Sequence, residues 1–128
     1  MIKQSKLKKS RRLQRKRRHY RVRSKIWGTA ERPRLVVYRS LKNIEGQVIN
    51  DDENRTLLGL STLSPQLADF EPEGGQRRVE EAFAAGKLLG EKAVADGVTT
   101  VIFDRGGYPY HGRVRAFAEG AQEGGLEF

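Results

Sequence analysis

The side chains with the clearest chemical purpose are the lysines and arginines at the start of the chain. Residues 1–39 contain 16 of them against a single acid, Glu31, for a net charge of +15, whereas the rest of the chain carries 9 basic and 15 acidic residues, for a net charge of −6. Guanidinium and ammonium groups bind phosphate, and a basic run without compensating acids requires a polyanion to neutralise it. The candidate contacts in this segment, including two ring side chains, are Lys3, Lys6, Lys8, Lys9, Arg11, Arg12, Arg15, Lys16, Arg17, Arg18, His19, Tyr20, Arg21, Arg23 and Lys25.

A second group of candidate contacts lies in a glycine-containing loop near the C-terminus. Its arginines can form paired hydrogen bonds with phosphate oxygens, and its tyrosine and histidine rings can stack on unpaired bases. Its glycines let the backbone approach a ribose–phosphate chain, and the amides that begin the following helix can hold a phosphate. The candidates are Arg105, Gly106, Tyr110, His111, Gly112 and Arg113, with Tyr108 open between base stacking and packing in the core.

Polar residues of the first predicted strand and of the turn after it form a third group. Strand alternation places Tyr38 on the opposite face from Val37 and Arg39, so only part of this group can face one ligand. An ordinary polar strand edge and turn would have the same composition. The candidates are Arg34, Arg39, Ser40, Lys42, Asn43 and Gln47.

One pattern suggests catalysis. Asp104 follows a predicted strand and precedes a glycine loop, where α/β enzymes place catalytic carboxylates. A metal-dependent nuclease would need a second carboxylate on the first strand to hold its metal ions, and residues 32–40 contain none. The chain also has no cysteine, no G-x-S-x-G motif and no P-loop. We therefore assign no catalytic residue, no metal ligand, no cofactor and no small-molecule substrate.

Composition narrows the class of partner further. Two histidines are too few for a histidine-based structural metal site, and the absence of cysteine excludes disulfides. No apolar run approaches the roughly 20 residues that cross a bilayer. The apolar residues of the basic segment follow no helical period, which a membrane-surface helix would require. Nucleic acid is therefore favoured over a membrane as the polyanion.

Two regions of different character divide the chain. Residues 1–32 predict a basic arm that is disordered when free, because so much like charge and so few apolar side chains cannot fold alone. Residues 33–128 predict a globular α/β domain with strands at 34–40, 44–50 and 56–61, a helix at 76–96, a strand at 99–103 and a short final helix. The long helix makes the fourth strand parallel, so we predict a mixed sheet of three antiparallel strands plus one parallel strand, in the order β-β-β-α-β-α, with helices packed on it. Gly86 and Gly90 of the long helix predict a close approach to the sheet.

Residues 103–113, FDRGGYPYHGR, closely resemble the C-terminal signature of the bacterial-type large-subunit ribosomal proteins of family eighteen. Residues 34–51 and 57–62 resemble that family's opening hairpin and third strand, and the arm and the long helix occur in the matching order. Two positions depart from the family pattern: Glu45 replaces a usual aromatic residue, and Gln122 replaces a usual arginine.

This resemblance implies a non-enzymatic protein of the cytoplasmic ribosome that binds 5S rRNA and helps attach it to 23S rRNA in the central protuberance of the large subunit. The implied partners are 5S rRNA, 23S rRNA and the other 5S rRNA-binding ribosomal proteins. The implied contact regions are the basic arm, residues 39–47 and the loop around residues 105–113.

The residues by themselves leave three other functions open. The chain could be a general nucleic-acid-binding module that acts outside the ribosome, because a basic arm has affinity for any polynucleotide. It could also be a metal-dependent nuclease, which the missing second carboxylate disfavours. A third alternative is a scaffold protein whose arm binds an acidic protein partner.

Overall fold

The four predicted strands form one mixed sheet. In the computed structural model, which describes residues 10–128, they are β1 (Arg34–Arg39), β2 (Ile44–Asn50), β3 (Arg55–Ser61) and β4 (Ile102–Asp104). The sheet order is β3-β2-β1-β4, with β1 antiparallel to β2, β2 antiparallel to β3, and β1 parallel to β4. The predicted topology is therefore confirmed. β4 begins later than predicted because Thr100 forms an isolated bridge with Glu127 near the C-terminus.

The helices are α1 (Arg11–Arg23), α2 (Arg77–Ala95) and α3 (Gly112–Glu123), with a short 3-10 turn at Pro65–Leu67. α2 and α3 cover the sheet face that carries Leu35 and Val37, and Phe117 of α3 and Leu89 of α2 lie directly over Gly46 of β2. Burial of these apolar side chains builds the core and fixes where the loops at the sheet edge emerge. No helix within residues 10–128 is long and apolar enough to span a bilayer.

The glycines of α2 bring two helices together. A Cβ atom at Gly86 would collide with the backbone of Phe117, and a Cβ atom at Gly90 would collide with the backbone of Ala121, both in α3. A Cβ atom at Gly120 of α3 would likewise collide with the backbone of Phe83 in α2. The prediction that Gly86 and Gly90 approach the sheet is therefore wrong. The buried face of α2 was visible in its periodicity, but the element that packs on it was not.

The basic segment forms a helix in this structure, where sequence reasoning favours a disordered arm. Arginine, lysine, glutamine and leucine have high helix propensity, and the Ser10 side chain caps α1 by accepting a hydrogen bond from Leu13 N at 3.2 Å. α1 lies against the loop after β4, where Gly107 leaves room for the backbone of Arg15. Disorder of residues 1–32 in the free protein stays a prediction. The candidate contacts Lys3, Lys6, Lys8 and Lys9 lie outside the described residues.

Candidate nucleic-acid interface

A cationic groove lies between α1, the turn after β1 and the loop after β4. Its volume is about 670 Å³, and every charged side chain that lines it is an arginine. No carboxylate of the described residues lines it, so the groove offers positive charge and hydrogen-bond donors to an anion. We call it the arginine groove, and its charged members are Arg11, Arg12, Arg15, Arg18, Arg39 and Arg113.

Tyr108 lies between two arginines of this groove. The guanidinium carbon of Arg15 is 4.6 Å from the centre of the Tyr108 ring, and that of Arg39 is 4.8 Å from it, both within the range of cation–π attraction. The tyrosine hydroxyl donates to the Arg39 carbonyl and accepts from the Arg39 amide, each at 3.1 Å. Only 7% of Tyr108 is exposed. Of the two alternatives for this ring, packing is therefore the one observed, and the ring orients arginines instead of stacking on a base.

Three polar contacts hold α1 against the loop after β4. Nη1 of Arg15 donates to the Gly106 carbonyl at 3.2 Å, and Nε of Arg18 donates to the Gly107 carbonyl at 3.1 Å. Nε2 of His19 lies 2.9 Å from Oδ2 of Asp104. These contacts leave other predicted arm residues facing solvent, namely Arg11, Arg12, Lys16, Arg17, Tyr20, Arg21 and Lys25.

Arg34 is enclosed between two carboxylates and is not available to a phosphate. Its Nε is 3.0 Å from Oδ2 of Asp51, its Nη1 is 2.8 Å from Oδ2 of Asp104, and 6% of the residue is exposed. Arg23 of α1 reaches the same Asp51 at 3.3 Å. The prediction that Arg34 contacts RNA is therefore wrong, because this guanidinium neutralises two buried acids beneath α1. Asp104, at the end of β4, is also buried. It therefore presents no carboxylate to solvent for catalysis.

The pairing shifts the acid–base properties of Asp51 and Arg34. Burial by itself raises the pKa of Asp51, but hydrogen bonds from Arg34 and the Gly28 amide, with the charges of Arg34 and Arg23, outweigh burial and hold that pKa below its ordinary value. Burial by itself lowers the pKa of Arg34, but Asp51 and Asp104 outweigh it and raise that pKa. Both groups are therefore ionised near neutral pH, and the Asp51 carboxylate that Arg23 of α1 contacts is negatively charged. Within residues 10–128, no group of three histidine, aspartate or glutamate side chains is placed to hold a metal ion.

The polar residues of the turn after β1 and of β2 lie on two different surfaces. Ser40 and Asn43 close the turn, since Ser40 N donates to the Asn43 carbonyl at 2.9 Å and Asn43 N donates to Ser40 Oγ at 3.1 Å. Lys42 is exposed within this turn. Gln47 lies on the sheet face opposite α2 and α3, where its Nε2 donates to Oε1 of Glu45 at 3.1 Å. Ser40 therefore borders the arginine groove, and Gln47 does not.

The predicted contacts of the C-terminal loop are also divided. Arg113 lines the arginine groove, whereas Arg105, Tyr110 and His111 are exposed outside its lining. The ring of Tyr110 packs edge-on against Phe103 with 6.0 Å between ring centres, and 44% of the residue remains exposed. Tyr110 is thus fixed on one side and open on the other, as a base-stacking residue needs to be.

Two loop glycines adopt backbone conformations that favour glycine, and their predicted close approach to a ribose–phosphate chain stays a prediction. Gly106 has a φ of 67° and Gly112 a φ of 57°, in the region that favours glycine. A Cβ at Gly106 would also meet the Val37 carbonyl. The sharp path of this backbone aims the Gly106 carbonyl at Arg15 and so helps position α1.

Sequence reasoning does not identify two further residues at this surface. Trp27 is 55% exposed, donates from Nε1 to Oδ1 of Asp52 at 2.7 Å, and has the Arg23 guanidinium carbon 5.5 Å from its ring. Its position in a basic stretch was a usable signal for an exposed aromatic contact. Arg78 of α2 donates from Nη1 to the Leu41 carbonyl at 3.3 Å. That contact spans 37 residues, so no local pattern predicts it.

Comparison with known proteins points to one family. Residues 9–128 match the family model described as ribosomal L18 of archaea, bacteria, mitochondria and chloroplasts. The chain is 52% identical over 114 residues to the large ribosomal subunit protein uL18 of Thermomicrobium roseum, which covers 89% of this chain and 91% of that protein. It is 55% identical over 114 residues to uL18 of Pelotomaculum thermopropionicum, covering 89% of this chain and 92% of that protein. It is 51% identical over 122 residues to uL18 of Moorella thermoacetica, covering 95% and 98%.

Proposed function

The chain belongs to the ribosomal L18 family, and from this premise we propose that it binds 5S rRNA and helps attach it to 23S rRNA in the central protuberance. At the coarser level, it is a structural, non-enzymatic protein of the large subunit of the cytoplasmic ribosome. Its proposed partners are 5S rRNA, 23S rRNA and the other 5S rRNA-binding ribosomal proteins. The resemblance of residues 103–113 to the family signature supports this finer assignment.

The observation that carries the proposal is the arginine groove. It combines four arginines of α1 with Arg39 of β1 and Arg113 of α3. Contacts with Tyr108 and with loop carbonyls already orient Arg15, Arg18 and Arg39, so less side-chain entropy is lost when an anion binds. The repeating phosphates of an RNA backbone are the ligand that such a row of donors suits.

The basic arm and the folded domain have different roles in the proposed binding. The exposed cations of the basic arm supply electrostatic affinity that does not depend on RNA sequence. The folded domain presents the groove, the exposed loop residues and the sheet face with Gln47 in fixed relative positions, and these recognise the shape of a particular folded RNA.

Binding of the full-length protein to 5S rRNA and to an unrelated hairpin of similar length tests the proposal. We expect a preference for 5S rRNA at every salt concentration, and a slope of log K against log[salt] of roughly −6 to −7 if about 8 phosphates are neutralised. Duplex DNA should compete poorly. Equal affinity for 5S rRNA, hairpin and DNA would reject 5S rRNA as the specific ligand and leave a general polyanion-binding module.

Attachment to 23S rRNA requires a separate measurement. With 5S rRNA immobilised, addition of the protein together with the other 5S-binding ribosomal proteins should increase retention of 23S rRNA fragments from the central protuberance. Retention that is the same without this chain would reject the attachment role and leave 5S rRNA binding intact.

A further inference from the structure

Three arginines from three different elements converge on the turn that follows β1. Arg113 of α3 donates from Nη2 to the Ser40 carbonyl at 2.8 Å, and Arg78 of α2 donates from Nη1 to the Leu41 carbonyl at 3.3 Å. Arg39 is the last residue of β1, and its guanidinium carbon lies 4.8 Å from the centre of the Tyr108 ring. Backbone carbonyls and an aromatic ring thus gather three cations in one place.

These three arginines lack the carboxylate partners that Arg77 and Arg115 have nearby in the sequence. Across residues 10–128, none of the three forms an ion pair with a carboxylate. By contrast, Arg77 pairs with Glu81 at 3.6 Å and Arg115 pairs with Glu119 at 2.8 Å. Each of these paired arginines is within two residues of an unpaired one, so the difference lies in position and not in local composition.

Arg113 is the least exposed of the three arginines. Its Nη1 is buried and has no hydrogen-bond partner in the part of the chain that the structure describes. A buried donor without an acceptor is destabilising, and a charged one is more so. Burial, together with the positive charges of Arg39 and Arg78, also lowers the pKa of Arg113. An anion at this point would supply an acceptor and reduce the repulsion.

The start of α3 adds positive potential at the same point. His111, which precedes the helix, makes no side-chain hydrogen bond to the first turn, and the first turn contains no acid. The partial positive charge of the helix N-terminus is therefore not offset by a carboxylate near Arg113.

We propose that Arg39, Arg78 and Arg113 form a site for one backbone phosphate of the bound RNA, an assignment that rests on the proposed RNA-binding function. A phosphodiester has one negative charge and two free oxygens, which suit the paired donors of guanidinium groups. Arg39 and Arg78 are exposed, so a phosphate can approach them from solvent. Contact with the buried Nη1 of Arg113 requires these long side chains to move when the phosphate binds. The site extends the RNA-binding surface to α2, because Arg78 does not line the arginine groove.

Arg78→Ala and Arg77→Ala form the matched pair that tests the site in the full-length protein. Both variants remove an exposed arginine from the first turn of α2, but only Arg78 contacts the turn after β1. We expect Arg78→Ala to weaken binding to 5S rRNA about 10-fold, as loss of a charged hydrogen bond does, and Arg77→Ala to weaken it less than about twofold. Equal losses would overturn the site, because they would report only the change in net charge.

A double-mutant cycle tests whether one phosphate is shared. If Arg78 and Arg113 hold the same phosphate, the double variant should lose less affinity than the product of the two single losses. A loss equal to that product would overturn the shared site. Arg115→Ala, which removes an arginine paired with Glu119, is the control for Arg113→Ala, and circular dichroism checks that each variant is folded.

The same variants separate the failure of this site from the failure of the proposed function. Phosphate contacts are indifferent to base sequence, so Arg78→Ala should weaken binding to an unrelated hairpin by the same factor. If the unmodified protein does not prefer 5S rRNA but Arg78→Ala and Arg77→Ala differ on both RNAs, the function fails and the site is supported. If the preference holds and the two variants bind both RNAs alike, the site fails and the function is supported.

Discussion

Nε2 of His19 lies 2.9 Å from Oδ2 of Asp104, an entirely buried carboxylate at the end of β4. The same oxygen accepts a hydrogen bond from Nη1 of Arg34 at 2.8 Å, and Oδ1 accepts one from the Gly106 amide at 2.9 Å. Asp104 therefore joins the basic helix, the sheet and the glycine loop at one point. The placement of α1, and with it the shape of the arginine groove, depends on this carboxylate.

We expect His19→Ala to loosen α1 without unfolding the domain, because Asp104 keeps its hydrogen bonds with Arg34 and Gly106. In the complex with 5S rRNA, hydrogen exchange of the amides in Arg11–Arg23 should become faster, while exchange in β1 and α2 stays the same. Tyr20→Ala is the comparison for loss of an RNA contact on the same helix, since 80% of Tyr20 is exposed and available to RNA; His19→Ala should accelerate exchange more than Tyr20→Ala does. Equal acceleration in the two variants would contradict a docking role for His19.

Replacement of Arg34 tests its structural assignment. We expect Arg34→Met to lower the free energy of unfolding by about 3–5 kcal/mol, because Asp51 and Asp104 would stay buried without their main counter-charge. Urea unfolding of the RNA-free protein measures this change. Arg55→Met, at an exposed position of β3, should change the free energy of unfolding by less than about 0.5 kcal/mol. A fully stable Arg34→Met variant would reopen a role for Arg34 in binding.

The lowered pKa of Asp51 makes the free energy of unfolding depend on pH. The folded protein keeps this carboxylate ionised at pH values where the unfolded chain protonates it. The stabilisation is therefore fully present above the ordinary pKa of 3.8 and is lost as the pH falls through the lower folded-state pKa. We expect the unmodified protein to lose stability in that window, and Asp51→Asn to lose less over the same window.

Urea unfolding between about pH 2 and pH 5 compares the two pH dependences. Glu53→Gln is the control for removal of one carboxylate, because Glu53 is exposed in the same turn and forms no ion pair within the described residues. It should keep the pH dependence of the unmodified protein. Identical curves for Asp51→Asn and the unmodified protein would show that the ion pairs of Asp51 do not contribute.

Most of the fold could be predicted because its signals are local. β-branched and aromatic residues mark β1, alternation marks β2, and the helix between β3 and β4 makes β4 parallel to β1. What could not be predicted depends on which elements meet. Gly86 looks the same in sequence whether it faces a sheet or a helix, and only the tertiary structure places it against Phe117.

The candidate site was predictable in composition but not in detail. Arg34 and Arg39 lie on one strand and look equivalent in sequence, yet Asp51 and Asp104 enclose the first while the second reaches the groove. Arg34 is enclosed because it pairs with Asp51 and Asp104, which are 17 and 70 residues away along the chain. No local sequence pattern reveals such distant partners. The contact of Arg78 with the Leu41 carbonyl could not be predicted either, because the two residues are 37 positions apart along the chain.

Deletion of residues 2–24 should separate electrostatic affinity from RNA selectivity. It removes 12 lysines and arginines, so fewer phosphates are neutralised and the slope of log K against log[salt] should become shallower. The preference for 5S rRNA over an unrelated hairpin should remain, because the exposed loop residues Arg105, Tyr110 and His111 belong to the folded domain. That domain should stay folded, since Asp51 and Asp104 both keep their pairing with Arg34.

A charge-only variant shows which part of this effect comes from α1 itself. Lys16→Gln, Arg17→Gln and Arg21→Gln in one protein remove exposed cations and keep the docking contacts of Arg15, Arg18 and His19. Its slope should fall between those of the deletion and the unmodified protein, with an unchanged preference for 5S rRNA. Dissociation constants for both RNAs over a series of potassium chloride concentrations measure slope and preference together. If the deletion of residues 2–24 removed the preference for 5S rRNA and left the slope unchanged, the arm would select the RNA and the folded domain would supply the affinity.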